Sequence, residues 1–354
     1  MAILNTALKV FHYPDKLRSL PGSVDTVLPP LHVRLKPTNI CNHDCWFCAY
    51  RQDDFQLGQT MVERDQIPRD KMMEIVDDLI DMKVQAVTFS GGGEPFVYPH
   101  LLVTARRLAE AGIAIASLTN GARLQGELAE LFAERATWVR ISMDGWDGAS
   151  YAKARHVKDS EFAKVLANMG AFKKLGGACN LSLVIVVGAD NAPHLYDLIA
   201  QVAPLGPDSI KIAPVIISNS GAENAAYHAR HESVVRAQLE RAVRDFGQCT
   251  ELSDAFDAQL HTFEKDYHWC PMLQIRPVIA ADLNVYSCQD KAYNPDGLLF
   301  SIKERRFKEA WMASKASFMK VDPVRHCNHH CVAHGSNKML LEYLDADPRH
   351  LPFV

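Results

Sequence analysis

Two kinds of hydrophobic pattern alternate between residues 31 and 215. Short apolar segments predict β-strands at 31–36, 85–89, 113–118, 138–143, 181–187 and 209–213. Between them, apolar residues recur every three to four positions, which predicts amphipathic helices with one buried face. The clearest example comprises Met72, Ile75, Val76, Leu79 and Ile80. A regular alternation of strand and helix is typical of a parallel α/β architecture, and six units are too few for a full eight-stranded barrel.

The pattern changes after residue 215. A polar stretch, a last long amphipathic helix and a stretch without strand signals follow in turn, at 216–230, 232–246 and 247–262. Further on, the sequence predicts a β-hairpin and then a helix, at 273–280 with 283–287 and at 303–315. The chain is therefore expected to consist of a Pro-punctuated lead-in, a main α/β domain and a small C-terminal domain, over 1–30, 31–247 and 248–354.

Charge and hydropathy argue against two classes of partner. The chain has 38 Lys and Arg against 42 Asp and Glu, a net charge of −4, and no basic block that would indicate nucleic-acid binding. Its longest strongly apolar run, 181–189, is far shorter than the roughly 20 residues of a membrane span. The N-terminus lacks the features of a signal peptide. Nine cysteines without an export signal are expected to be reduced thiols or metal ligands in the cytoplasm.

Three of these cysteines lie close together, directly after the first predicted strand. Cys41, Cys45 and Cys48 have the spacing C-x-x-x-C-x-x-C. Three thiols are one too few for a structural zinc site, but they can hold three corners of a [4Fe–4S] cluster and leave its fourth iron open. The second predicted strand is followed by Ser90-Gly91-Gly92-Gly93-Glu94-Pro95, in which glycines allow a close approach to a ligand and the glutamate offers a carboxylate to an ammonium group.

These two motifs, in this order and with an aromatic residue at Phe47, resemble the radical S-adenosylmethionine (radical SAM) superfamily. The resemblance implies a partial (β/α)6 TIM-like barrel and catalytic cysteines at Cys41, Cys45 and Cys48. It implies that the open iron binds SAM, whose reductive cleavage gives a 5′-deoxyadenosyl radical that abstracts a substrate hydrogen. It also implies an electron donor such as flavodoxin or ferredoxin.

The resemblance further implies a set of residues that bind SAM. Gly91, Gly92, Gly93 and Glu94 would bind its amino group, and Ser142 with Arg155, in a segment similar to the "SxDG … R" of SPASM and twitch members, would hold its carboxylate. Asn120 would face the same rim, and Ile212 would contribute to the wall around the adenine. Two alternatives stay open: Asn120-Gly121 as an ordinary turn, and Arg155 as a surface residue.

Four further cysteines surround the predicted hairpin and helix. Cys270, Cys288, Cys327 and Cys331 resemble the ligands of a twitch or SPASM-like module, which would hold an auxiliary [4Fe–4S] cluster. The final C-x-x-x-C pair departs from the commoner two-residue spacing. The alternative is zinc, held by these cysteines alone or together with His330 or His334.

The substrate class is predicted from the auxiliary cysteines. The seventeen residues between Cys270 and Cys288 are similar to the spacing in an aminocyclitol dehydrogenase, which favours oxidation or epimerisation of a small sugar-like or amino-bearing compound. The main alternative is a peptide maturase, disfavoured because residues 1–30 are too few for a leader-binding domain. A non-enzymatic electron carrier is disfavoured by the SAM motifs. Cys179 and Cys249 are candidate hydrogen-atom donors for an epimerase, although neither follows a strand's carboxyl end, which favours a dehydrogenase.

Overall fold

A ten-stranded sheet forms the centre of the protein in the computed structural model, which describes residues 6–52, 57–313 and 315–353. The strands in chain order are β1 His32–Leu35, β2 Ala86–Phe89, β3 Ala114–Thr119, β4 Ala136–Ser142, β5 Asn180–Val187, β6 Ser209–Pro214, β7 Glu251–Asp254, β8 Val278–Ile279, β9 Asn284–Tyr286 and β10 Leu298–Ser301. Their order across the sheet is β10-β9-β8-β1-β2-β3-β4-β5-β6-β7. All neighbours from β8 through β1 to β7 are parallel, and β8, β9 and β10 are antiparallel.

Helices connect the parallel strands and pack on the sheet. The α-helices are α1 Pro14–Arg18, α2 Arg69–Asp81, α3 Leu101–Glu110, α4 Gly126–Arg135, α5 Gly148–Arg155, α6 Ser160–Lys174, α7 Leu195–Val202, α8 Gly221–Ala229, α9 Glu232–Phe246, α10 Phe256–Leu260, α11 Met272–Ile275, α12 Phe307–Met312, α13 Lys315–Phe318, α14 Pro323–His326 and α15 His334–Leu344. Short 3₁₀ helices span Ala7–His12, Pro95–Val97, Ala192–His194, Ala203–Leu205, Gln289–Lys291 and Pro295–Gly297. In the described residues, no helix is both long and apolar enough to cross a membrane.

The parallel α/β fold with a partial barrel is confirmed. Each of the six predicted strands lies within two residues of β1 to β6, and the helix predicted at 232–246 is α9. The predicted strands match because apolar side chains alternate with others along them: in β1, Val33 and Leu35 are fully buried while His32 and Arg34 are only partly buried. The helix α2 buries the face predicted from its spacing.

Three elements differ from the prediction. The strand β7 extends the parallel sheet beyond β6, which the sequence does not predict. Its four residues are only partly buried or exposed, so 247–262 shows no strand pattern. The segment 272–275 is the helix α11 rather than the start of the hairpin strand. It begins after Pro271 and ends before Pro277, positions at which proline favours a helix start and a helix end. The helix predicted from residue 303 begins only at 307.

The C-terminal hairpin is joined to the barrel sheet. Val278 and Ile279 in β8 pair with Arg34 and Leu35 in β1, and β10 adds a third antiparallel strand. The lead-in packs on the outside, where Leu17 and Leu20 form a small apolar cluster with residues of α11 and α15.

Candidate active site

The loops that follow β1, β2, β3 and β4 meet at one edge of the sheet. Neighbouring strands are parallel, so their carboxyl ends lie side by side, which is where β/α barrels place their ligands. The cysteine loop, the glycine-rich turn, Asn120 and Ser142 follow or end these four strands. The structure therefore brings together the residues that the sequence singled out in four separate segments.

The cysteine loop is held in place by the end of α5. The backbone N–H groups of Asp44 and Trp46 donate to the carbonyls of Arg155 and Ala154, at 3.0 and 3.2 Å. The three thiols are only partly exposed. Burial raises the pKa of each of them, that of Cys45 to about 12, and a bound cation would act in the opposite direction by favouring the thiolates. Three such thiols in one loop fit the metal group that the resemblance implies.

The glycine-rich turn packs directly against the cysteine loop. Gly93 N–H donates to Thr38 O at 3.1 Å, and Glu94 N–H donates to Ile40 O at 3.0 Å. A Cβ atom on Gly93 would lie 2.1 Å from Ile40 O, and one on Gly92 would lie 2.4 Å from Asn39 Oδ1. A Cβ on Gly91 would lie 1.5 Å from Gly93 O. None of the three has a positive φ, so space rather than backbone conformation requires glycine at 91–93.

Glu94 is buried with its carboxylate fixed in orientation. Its Oε1 accepts from Phe96 N at 3.0 Å and Thr119 Oγ1 at 2.7 Å, and its Oε2 accepts from Asn120 N at 2.7 Å. Burial raises the pKa of this carboxyl, while the backbone N–H groups of Asn120 and Phe96 act in the opposite direction. The Oε2 atom keeps further acceptor capacity, so the group suits an ammonium ligand.

Asn120 forms both a turn and a link between loops. Its Oδ1 accepts from Ala122 N at 3.0 Å, and Gly121 has φ of +80°, as expected of an Asn-Gly turn. Its Nδ2 also donates to Asn42 Oδ1 in the cysteine loop at 2.8 Å. The side chain therefore ties the end of β3 to the cysteine loop.

Arg155 is buried and paired with the aspartate of the SxDG segment, for which no role is predicted from the sequence. Only 2% of its side chain is exposed, so it is not a surface residue. It donates to Ser142 Oγ at 2.9 Å and forms an ion pair with Asp144, whose side chain is 3% exposed. Asp144 also accepts from Val186 N at 2.7 Å. The guanidinium lies against the ring of Phe47, and its Nε has no hydrogen-bond partner among the described residues.

Two cavities open on this edge of the sheet. The central cavity, of about 400 Å³, lies between the strand ends and the C-terminal part, and Glu94, Ser142 and residues 289–290 are among its lining. The outer cavity, of about 630 Å³, is bordered by Phe47, Val186 and Val215 among others. Ile212 lies in the hydrophobic core and lines neither cavity, so the structure does not bring it to the site.

Polar side chains of the central cavity come from both parts of the chain. Lys36 Nζ donates to Gly91 O and Tyr50 Oη, both at 2.7 Å, and Tyr50 Oη donates to Gln289 O at 2.9 Å. Burial, followed by repulsion from Arg34, lowers the pKa of Lys36 to about 7. This chain of hydrogen bonds connects the glycine turn, the cysteine loop and the C-terminal part.

The four C-terminal cysteines line one small cavity, here called the auxiliary cavity. Burial raises the pKa of all four thiols, and Asn337 Nδ2 lies 3.1 Å from Cys270 Sγ. Within the described ranges, no three His, Cys, Asp or Glu side chains converge closely enough for a single metal ion.

Two histidines of the Cys327–Cys331 loop face the central cavity, a placement that no local sequence pattern predicts. His329 also lines the auxiliary cavity, so it lies between the two. Its Nδ1 is 2.6 Å from His330 O, and the Nε2 atoms of both rings are buried without a hydrogen-bond partner in the described part of the chain. The two candidate hydrogen-atom donors lie elsewhere: Cys179 is buried before β5, Cys249 is exposed, and neither lines these cavities.

Comparison with known proteins identifies the family. Residues 35–200 match the model of the radical SAM superfamily and form a radical SAM domain. The match contains the cysteine loop, the glycine turn and the β4 segment, so the resemblance based on the motifs is confirmed.

Relatives extend the likeness beyond that domain. Pre-heme d1 synthase of Dinoroseobacter shibae is 26% identical over 231 residues, which are 65% of this chain and 54% of that protein, so this chain matches about half of that relative's length. Streptococcus suis SuiB bound to precursor peptide SuiA superposes with a TM-score of 0.61 at 14% identity, over 90% of this chain and 76% of SuiB. The anSMEcpe structure with bound AdoMet gives 0.59 at 18% identity, over 91% and 98%. At these identities the likeness establishes the fold.

Proposed function

We propose that the protein cleaves SAM reductively and abstracts a hydrogen atom from a small polar substrate. The observation that carries this proposal is the meeting of the three thiols, the glycine turn and the Glu94 carboxylate at one edge of the sheet, beside the central cavity. Cys41, Cys45 and Cys48 would hold a [4Fe–4S] cluster, and Cys270, Cys288, Cys327 and Cys331 an auxiliary one. With SAM bound, the first cluster would supply the electron that generates the 5′-deoxyadenosyl radical.

The chain's own residues would bind and orient the reactants. Gly91, Gly92 and Gly93 let the turn pack closely against residues 39–40, Glu94 would accept from an ammonium, and Ser142 with Arg155 would face a carboxylate. Phe47 and Val215 in the outer cavity would contact the adenine more directly than Ile212, which lies in the core. His329, His330, Asp290 and Lys36 place polar groups in the central cavity, which supports a hydroxyl- or amine-bearing substrate.

A cytoplasmic location and a flavodoxin or ferredoxin as electron donor are part of the same proposal. All nine cysteines are free thiols, which agrees with a reducing compartment. An external one-electron donor is required because the described side chains include none that could reduce an iron–sulfur cluster repeatedly.

Removing the Glu94 carboxylate tests the SAM site. Glu94→Ala should weaken SAM binding about tenfold or more, since a hydrogen bond to a charged group contributes roughly 1.5–3 kcal/mol and 1.4 kcal/mol corresponds to a factor of ten. Isothermal titration of SAM into anaerobic, reconstituted protein measures the change. Glu94→Gln keeps the acceptor oxygen without the charge, so its affinity for SAM should lie between those of the wild type and Glu94→Ala. Glu127→Ala, an exposed position in α4, is the control. Unchanged SAM affinity in Glu94→Ala with both clusters assembled would place the SAM site elsewhere.

The fate of the substrate distinguishes oxidation from epimerisation. We propose oxidation, in which the substrate gives up one hydrogen atom, then one electron and one proton, and becomes two hydrogens lighter. The structure supports this because neither Cys179 nor Cys249 lines the central cavity, where a hydrogen-atom donor would have to be.

A panel of sugars and aminocyclitols, incubated with the reduced enzyme and SAM in deuterated water, tests this proposal by mass spectrometry. The expected product lacks solvent deuterium on carbon and is formed by both Cys179→Ala and Cys249→Ala. A product of unchanged composition with deuterium at an inverted carbon, and loss of activity in one of the two variants, would instead establish epimerisation.

A further inference from the structure

The two cysteine sites have different electrostatic surroundings. Around Cys41, Cys45 and Cys48 the strongest charged neighbours, apart from Lys36, are two arginines and three acids: Arg51, Arg155, Asp44, Glu94 and Asp144. Both arginines are already neutralised, Arg51 by Asp44 at 2.8 Å and Arg155 by Asp144. The described charges around the first site therefore leave no excess of positive charge.

The auxiliary cavity has the opposite balance. Four cations interact electrostatically with its thiols, namely Arg34 with Cys288, Lys265 with Cys331, Arg276 with Cys270 and Lys291 with Cys327. The only acid among the corresponding neighbours in the described ranges is Asp290. Lys36, left out of both counts, interacts with a thiol of each site.

Three of these four cations have no counter-ion of their own. Arg34, Lys265 and Arg276 make no ion pair within 4 Å in the ranges that the structure describes, whereas Lys291 lies 3.6 Å from Asp296. Lys265 and Arg276 line the auxiliary cavity itself, and the Nε of Arg34 is buried without a hydrogen-bond partner. All three side chains are partly buried and have no counter-ion, so an anionic occupant of the cavity would stabilise them.

Hydrogen bonding at the auxiliary cavity also favours an anionic occupant. Lys265 Nζ donates to three backbone carbonyls, those of Thr262, Phe263 and His329, at 2.6, 2.5 and 2.7 Å, which holds the ammonium beside the Cys327–Cys331 loop. Asn337, which is 1% exposed, points its Nδ2 at Cys270 Sγ. Net charge and hydrogen bonds to sulfur are among the factors that set the reduction potential of an iron–sulfur cluster, and positive surroundings favour the reduced, more negative state.

We propose that Arg34, Lys265 and Arg276 make the auxiliary site the more easily reduced of the two iron–sulfur sites. This inference rests on the proposed auxiliary cluster. It adds a role for three residues outside both motifs, because they raise the potential of that site without ligating it. A site held at the higher potential is the better electron acceptor for an oxidation in the adjoining central cavity.

Redox titration of each site alone tests the proposal. The auxiliary site is isolated in the Cys41→Ala, Cys45→Ala, Cys48→Ala variant, and the first site in Cys327→Ala, Cys331→Ala. Both are titrated anaerobically and followed by electron paramagnetic resonance. We expect the reduction potential of the auxiliary site to exceed that of the first site by at least about 59 mV. For one electron, this difference is a tenfold change in the reduction equilibrium.

Charge variants then assign the effect to residues. Arg276→Met, which keeps an apolar stem, should lower the auxiliary potential and leave the first site unchanged, while Arg276→Lys should keep most of the wild-type value. Arg34→Met serves as a second variant should Arg276→Met fail to assemble its cluster. An auxiliary potential at or below that of the first site, or no change in either Met variant, overturns the proposal. Protein that holds only about four irons overturns the auxiliary cluster as well, and the iron content separates that case from the others.

Discussion

We expect that replacing Cys41, Cys45 and Cys48 together with Ala will abolish SAM cleavage and leave about four irons per chain, against about eight in the anaerobically reconstituted wild-type protein. The three thiols lie in one loop whose backbone is bonded to the end of α5, so no other cysteine of the described chain can replace them. The remaining four thiols line a separate cavity and should keep the proposed auxiliary cluster. Iron analysis and chromatographic detection of 5′-deoxyadenosine measure the two effects.

Variants of the other cysteines are the matched controls. Cys327→Ala with Cys331→Ala should also leave about four irons but retain SAM cleavage, because the first site is untouched. Cys179→Ala and Cys249→Ala should keep about eight irons, since neither thiol belongs to the cysteine loop or lines the auxiliary cavity. Wild-type protein with zinc at the second set and one cluster at the first would refute the auxiliary cluster and favour the zinc alternative.

The barrel could be predicted from the sequence because its strands are buried on a repeating pattern. Apolar positions that alternate or run together over four to eight residues are the direct result of packing a parallel sheet under helices. The motif loops could be placed for a related reason: in a parallel sheet, whatever follows each strand reaches the same edge. Knowing that Cys41 follows β1 and Gly91 follows β2 was therefore enough to bring them together.

Features that depend on distant partners could not be predicted. The strand β7 is recognisable only by its pairing with β6, since its own residues are barely buried. The short helix α11 interrupts a stretch whose apolar residues also suit a strand, and only its proline boundaries indicate otherwise. His329 and His330 face the central cavity because of how the Cys327–Cys331 loop folds against the barrel. The spacing of residues within the loop does not predict this placement.

The position of Arg155 shows the same limit within a motif. Its spacing from Ser142 suggests a role toward a ligand, and the structure does place the two side chains 2.9 Å apart. The ion pair with Asp144, however, gives Arg155 a structural role that the sequence alone does not reveal. The two roles make different predictions for stability and for SAM binding.

Arg155→Met should destabilise the protein by about 3–5 kcal/mol, because it leaves the Asp144 carboxylate buried without its partner. Thermal unfolding of the reconstituted protein measures this as a lower transition temperature. The double variant Arg155→Met, Asp144→Asn should recover much of the loss, since Asn removes the unpaired charge and its Oδ1 can still accept from Val186 N. Another cation of α5, Lys153, is exposed and paired with Asp190, so Lys153→Met is the matched control and should leave stability nearly unchanged.

The double variant also separates stability from SAM binding. If Arg155 holds the SAM carboxylate, the double variant regains its transition temperature but still binds SAM at least about tenfold more weakly than the wild type, as expected for the loss of a charged hydrogen bond. Wild-type SAM affinity in the double variant would restrict Arg155 to its pairing with Asp144. An unchanged transition temperature in Arg155→Met would contradict the buried ion pair itself, because an uncompensated carboxylate at 3% exposure cannot be without cost.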